Sequence, residues 1–402
     1  MAELDKILER CTDPKTGTLH GVAFAAVDAQ GNILYKKAAG SMCVDKDPTK
    51  PLTTNALTWM ASMTKMPSSV AAMQLVERGL VGLDDDVRKW LKPLEDVKVL
   101  TGFEDGHPVY EEVQGKITLR QLLSHTSGLA YDSLQPTLGK WSDYTQRKET
   151  SFTGSIEGLT HPLVFQPGTS WVYGCGLDWA GQVVEAVTGQ RFDEYMRQNI
   201  WSKLGATSTT FRPWEFQEVL SLPPKQEMAY RADGPHGKGP LTPAVFPHAY
   251  PQKDDCGGVG LWSTADDYLK LLGALVAGGA PIFSRPETVD EMFRPQIGEA
   301  SRAAMNGYIN GSFRDLFQIL WPEGMEGDHC LAGTVQTEDL PGRRRKGTVC
   351  WSGMGNTHWW VDRASGIAGL MFTQLLPTGD ISVRETEIEL EKALYKAVEA
   401  KS

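Results

Sequence analysis

Residues 62–78 read SMTKMPSSVAAMQLVER, and Gly79 follows. Val70, Met73, Leu75 and Val76 are apolar at helical spacing and a glycine closes the run, so the stretch predicts an amphipathic helix. Its opening, Ser62-Met63-Thr64-Lys65, is the only Ser-x-x-Lys in the chain. Chance alone yields about one such spacing in a chain of this composition, so context has to carry it. At i and i+3 the two side chains share a helix face, with Cβ atoms about 5–6 Å apart. A serine hydroxyl is a poor nucleophile until a neighbour takes its proton, and an amine takes it only when uncharged. The helix N-terminus adds positive potential and a free backbone N–H at Ser62, one half of an oxyanion hole. On spacing alone, a surface helix with an N-cap serine and a solvated lysine fits equally well. Pro67 removes a donor in the second turn and crowds the Met63 carbonyl. The first turn is therefore expected to be irregular or 3₁₀, a strain tolerated where the serine must be aimed outward.

Working outward, residues 21–28 and 33–39 are short apolar runs around Ala29-Gln30-Gly31-Asn32 and predict a hairpin. A short helix is expected near 118–123, an amphipathic one over Asp178–Thr188, another that starts at Ser263-Thr264-Ala265-Asp266-Asp267 and runs through YLKLLGALV until Gly278-Gly279 stops it, and a last one from about Val383 to Ala400. Segments 346–352, 357–362 and 366–373 read as strands. Residues 213–257 are rich in Pro and Gly with weak periodicity, and together with 298–330 are expected to shape the mouth of a pocket. Hairpin first, helical middle, strands and a closing helix last: the simplest architecture is α+β. In it, 1–80 and 250–402 form a discontinuous sheet domain and 81–249 a helical domain with loops. The active site is then expected in the cleft between them.

Composition removes several classes of function. A net charge of −10 over 402 residues argues against a nucleic-acid binder, whose footprint is basic. No apolar run reaches the ~18 residues a spanning helix needs. The opening MAELDKILERC carries no secretory h-region, and six scattered cysteines without a CxxC read as reduced thiols, so a cytoplasmic protein is expected. There is no HExxH, no His/Cys cluster, no GxSxG, no P-loop and no GxGxxG after a strand, so no metal or other cofactor is expected.

Two further elements bear on chemistry. In FQPGTSWVYGC (165–175) a Pro-Gly turn precedes Trp171-Val172-Tyr173. A tyrosine there can relay a proton to the serine oxygen; alone, a core tyrosine bonded to a carbonyl fits better. In Trp351-Ser352-Gly353-Met354-Gly355 small residues let a substrate carbonyl approach a strand, with the Met354 N–H as a second oxyanion donor. A plain Gly-rich hairpin turn is the alternative.

In order and spacing these three elements resemble the serine β-lactamase-related family, which takes in class C β-lactamases, penicillin-binding-protein-like esterases and lovastatin-type acyltransferases. Further blocks agree, among them LVERGL (75–80), LLSHTSGL (122–129) and Gly257-Gly258 ahead of Ser263-Thr264-Ala265-Asp266-Asp267. KITLRQLLSHTSGLAY and WVYGCGLDWAGQVVEAVTG look most like the lovastatin-type fungal acyltransferases of secondary metabolism. The resemblance spans nearly the whole chain. It implies a β-lactamase/transpeptidase-like fold, an antiparallel sheet flanked by the N- and C-terminal helices with an inserted, mostly helical domain. It implies Ser62 as the acylated nucleophile, Lys65 and Tyr173 as shared base and acid, and the N–H groups of Ser62 and Met354 as the oxyanion hole. Two departures stand out. Cys175 replaces the usual Asn two residues after the tyrosine. Trp351 stands where β-lactamases carry the Lys of Lys-Thr-Gly, which removes a carboxylate partner and adds apolar surface.

β-Lactam hydrolysis is therefore not the expected reaction. The expectation is a serine acyl-enzyme that moves or hydrolyses an acyl group of a largely apolar metabolite. The donor would be a small-molecule ester or thioester, a carrier-protein-bound acyl group included, and the acceptor an alcohol, an amine or water. Trp351, Gly353, His358 and Trp359 are the expected substrate contacts. A simple carboxylesterase, or a non-catalytic binding member of the fold, is the alternative. The intact triplet Ser62, Lys65 and Tyr173 speaks against the latter, since a binder has no need of all three.

Overall fold

The computed structural model describes residues 1–216, 221–317 and 320–400. The two ends of the chain meet in one seven-stranded sheet. β1 (Gly21–Asp28) and β2 (Ile33–Gly40) make the expected hairpin. β3 (Gly327–His329), β4 (Thr334–Gln336), β5 (Val349–Gly353), β6 (Thr357–Asp362) and β7 (Ile367–Phe372) join it in the order β2-β1-β7-β6-β5-β4-β3, every pairing antiparallel. β1, β6 and β7 are buried at nearly every position, because both faces of the sheet are covered and each strand must be apolar on both.

Register assigns the two faces. Phe24, Trp360 and His358 share one, against which α1 (Ala2–Cys11) and α6 (Ile381–Glu399) pack, through Tyr35 to Asp5 and His358 to Glu387. Val27, Phe372 and Trp351 face the other way, toward α5 (Ala265–Val276), whose Tyr268 ring meets Phe372. The Thr264 hydroxyl caps α5 by accepting the Asp267 N–H, and Gly278 and Gly279, both at φ 101°, end it. This is the α+β arrangement expected of the chain, an antiparallel sheet flanked by the N- and C-terminal helices.

Between the sheet halves lie α2 (Lys65–Glu77), α3 (Leu119–Leu123) and α4 (Gly176–Thr188). α3 is only five residues long; a reciprocal capping box between Thr118 and Gln121 fixes its start. The hairpin Lys98–Glu104/His107–Glu112 was not expected from the residue pattern. Its outer residues are exposed and polar, which blurs the alternation, yet Asp105-Gly106 at its tip, both at positive φ, was a usable turn signal.

Candidate active site

The turn that carries Ser62 is strained and tightly held. Ala61–Thr64 forms one 3₁₀ turn and α2 continues from it. The Met63 carbonyl that Pro67 deprives of its helical donor instead accepts the Tyr268 hydroxyl at 2.8 Å. Ala61 sits at φ 45°, which costs about 1–3 kcal/mol in a non-glycine residue. Neighbours hold it there: Met60 donates to the Leu261 carbonyl at 2.9 Å, and the Thr64 hydroxyl bridges Ala61 and Leu261. α2 is buried on all sides rather than along one stripe, so its polar side chains all need partners. Ser68, Ser69 and Gln74 find backbone carbonyls; Lys65 turns toward Ser62.

Three remote segments converge there. The Tyr173 hydroxyl lies 2.5 Å from Ser62 Oγ, and Lys65 Nζ lies 3.1 Å from the same oxygen. Gly174 lets the Tyr173 segment press onto residues 129–130, since a Cβ at 174 would stand 1.9 Å from the Leu129 carbonyl. That approach sets the Tyr131 ring edge-on to Tyr173 at 5.4 Å and its hydroxyl 3.0 Å from Lys65 Nζ. Nζ also reaches the Gly258 carbonyl at 2.9 Å. Behind them Asp178, fully buried on α4, accepts the Tyr131 hydroxyl at 3.2 Å and the Gly258 N–H at 2.7 Å. Burial drives the Tyr131 pKa well above the usual phenol range, the Asp178 charge adding to it. Burial also raises Asp178, against the pull of Lys65 and its two donors.

The end of β5 closes the site. A Cβ at Gly353 would lie 2.4 Å from the Met60 carbonyl, so glycine is what lets this strand touch the turn that carries Ser62. Met354 follows in the turn to β6. The cleft in front of Ser62 has a volume of about 280 Å³, and its walls include Trp59, Phe152, Tyr173, Phe317, Trp351 and Met354. His248 and Phe317 bring the expected contributions of 213–257 and 298–330, of which 217–220 and 318–319 lie outside the described residues. Among the described residues no group of His, Cys, Asp and Glu is arranged to hold a metal ion.

A protein-family model described as beta-lactamase matches residues 4–393. The chain belongs to the β-lactamase family. It is 34% identical over 388 residues to a monacolin J acid methylbutanoyltransferase of Aspergillus terreus, covering 95% of this chain and 92% of that one. To a lovastatin esterase of Penicillium rubens it is 32% identical over 374 residues, 91% and 92% of the two chains. The structure of a simvastatin synthase mutant from Aspergillus terreus superposes with a TM-score of 0.89 at 31% identity, covering 99% of this chain and 95% of that one. With acyltransferases and an esterase as relatives over the full fold, this β-lactamase-family chain is an acyl-transferring or ester-hydrolysing enzyme.

Of the residues singled out from the sequence, Ser62, Lys65 and Tyr173 come together, and Ser62, Trp351, Gly353 and Met354 all line the cleft. His358 and Trp359 do not. His358 pairs with Ser352, so strand alternation turns its ring to the opposite face, 3.4 Å from Glu387 of α6. Trp359 shares the face of Trp351 but is 1% exposed in the core beside Gly333. Cys175 is wholly buried, its thiol against the Ala130 and Leu159 carbonyls and His161. Tyr131, Asp178 and Gly258 were missed as site residues.

His358 belongs instead to a buried ionic cluster in which Arg343 and Arg344 both bind Glu391. Burial and the Glu391 charge push Glu387 up to about 8. A carboxyl raised in the folded state favours folding below its unfolded value and loses that contribution as pH rises through the folded one. Glu387→Gln is therefore expected to lose part of the decline in melting temperature between pH 5 and pH 8.5. Melting curves of both proteins across that range check this; parallel curves contradict it.

Proposed function

We propose that the chain catalyses two-step acyl transfer through Ser62. What carries the reading is the position of one oxygen: Ser62 Oγ sits between the Tyr173 hydroxyl at 2.5 Å and Lys65 Nζ at 3.1 Å, at the floor of a largely apolar cleft. Oγ attacks the carbonyl carbon of an ester or thioester as its proton passes to the Lys65/Tyr173 pair. The oxyanion is held by the N–H groups of Ser62 and Met354. The C–O or C–S bond breaks, and the pair returns the proton to the leaving alcohol or thiol. In the second step an acceptor hydroxyl gives its proton to the pair and attacks the acyl carbon; the Oγ–acyl bond breaks, and the pair returns the proton to Ser62 Oγ.

Transfer to an alcohol is favoured over hydrolysis. The acyl group would lie among Trp59, Phe152, Phe317 and Trp351, which shield it from water and suit a bulky, uncharged substrate. The relatives' names give monacolin J acid and lovastatin as what they act on, and a metabolite of that kind is the proposed substrate here, with a free or carrier-protein-bound acyl donor. No described helix is long and apolar enough to cross a membrane, and all six cysteines are buried and unpaired, which supports the cytoplasm as the place of action.

The test is product partition. With a p-nitrophenyl or thiol ester as donor, increasing concentrations of candidate acceptor alcohols should divert the acyl group from acid to ester product. Partition that stays with the acid across all acceptors makes the protein a simple esterase. Tyr173→Phe keeps the ring packing against Tyr131 and Trp351 while removing the hydroxyl. Its kcat for such an ester is expected to fall about 10²-fold, less than for loss of the lysine; steady-state kinetics decide it, and an unchanged kcat removes Tyr173 from the proton path.

A further inference from the structure

We propose that Asp178 is a positioning residue that, through Tyr131 and Gly258, fixes which way the hydrogen bonds of Lys65 point. The inference rests on the reading of Ser62 as the nucleophile. To serve as the base for Ser62, Lys65 must act as a free amine, with two N–H bonds and one lone pair, and its Nζ has three polar neighbours: the Gly258 carbonyl at 2.9 Å, the Tyr131 hydroxyl at 3.0 Å and Ser62 Oγ at 3.1 Å. A carbonyl only accepts, so Gly258 takes one N–H. The Tyr131 hydroxyl has one proton, and the Asp178 carboxylate claims it at 3.2 Å. Toward Lys65 that hydroxyl therefore accepts, and the second N–H is used. The lone pair is left for Ser62, whose hydroxyl donates to it while Tyr173 donates to Ser62 Oγ.

Asp178 is held in register for this. Its other oxygen accepts the Gly258 N–H at 2.7 Å, from the same residue whose carbonyl binds Lys65. A Cβ at Gly258 would stand 2.3 Å from Asp178 Oδ2 and 2.6 Å from the Tyr131 hydroxyl. Residue 258 thus has room for glycine alone, and the three groups form one rigid bracket behind the amine. An amide in place of the carboxylate reverses the bracket. The NH₂ of an Asn at 178 donates to Tyr131, whose own proton then turns to Lys65 and occupies the lone pair.

The experiment compares wild type, Asp178→Asn, Tyr131→Phe and the double variant on a p-nitrophenyl ester, with S62A as the control. Asp178→Asn should lower kcat by about 10²-fold or more with KM within about threefold, since no bracket group meets the substrate's remote parts. The double variant should be no slower than the slower single one, because Asp178 acts only through Tyr131 and Gly258. Tyr131→Phe, nearly isosteric, guards against misfolding as the cause. Asp178→Asn with kcat within threefold of wild type overturns the proposal, as do losses that multiply in the double variant. If S62A is as active as wild type, the nucleophile reading itself has failed, an outcome separate from either.

Discussion

Ser62→Ala is expected to abolish turnover of an activated ester, with kcat down by about 10⁵–10⁶-fold. The substitution removes the oxygen that Lys65 Nζ and the Tyr173 hydroxyl both reach, and the neighbouring Tyr131 hydroxyl points to Asp178 with its pKa driven far up by burial, so it is a poor substitute at neutral pH. The cleft and any backbone oxyanion donors stay, so a small residual rate over water should persist, as it does when a serine triad is dismantled. Fold should be intact, since Ser62 makes no contact that the turn depends on; the strained Ala61 is held by Met60, Thr64 and Leu261. Stopped or continuous assays on p-nitrophenyl esters read the loss directly. A residual rate within about tenfold of wild type places the chemistry elsewhere.

Lys65→Ala is the second large effect. Lys65 is 3% exposed and its Nζ meets Ser62 Oγ, the Tyr131 hydroxyl and the Gly258 carbonyl, so on the proposed mechanism its loss removes proton acceptance rather than packing across the core. A general base contributes about 10²–10⁴-fold, and here it also orders Tyr173 and Ser62, so acylation should slow by about 10³–10⁴-fold, or about 4–5.5 kcal/mol of barrier. Far-UV circular dichroism should be unchanged. Loss of helical signal in this variant would mean that Lys65 holds the fold together, and the rate would then say nothing about its chemistry.

The sequence carried most of the Ser62 turn and rather less of its support. Ser62 and Lys65 are legible because they are three residues apart along one helical run, and the clash of Pro67 with Met63 pointed to an irregular or 3₁₀ first turn, of which the structure shows the second. Tyr173 and Met354 became legible only through spacing shared with a family, since nothing local distinguishes a reacting tyrosine from a core one. Tyr131, Asp178 and Gly258 had no such handle. Their roles arise from contacts 66, 47 and 80 residues apart in sequence, and burial of a lone Asp on an amphipathic helix is not visible in composition. Gly257-Gly258 was noticed as a block, but the reason for glycine is steric and appears only with Asp178 and Tyr131 in place. His358 was misplaced for a different reason. Once Trp351 and Gly353 face the cleft, the partner of Ser352 must face away, but that register is set by tertiary pairing and not by the strand's own residues.

The most direct test of the account is intact-mass spectrometry with peptide mapping after exposure to a fluorophosphonate. One phosphonyl adduct per chain is predicted, mapped to Ser62, absent in Ser62→Ala and formed far more slowly in Lys65→Ala. No adduct on the wild-type protein, or an adduct that survives Ser62→Ala, contradicts it.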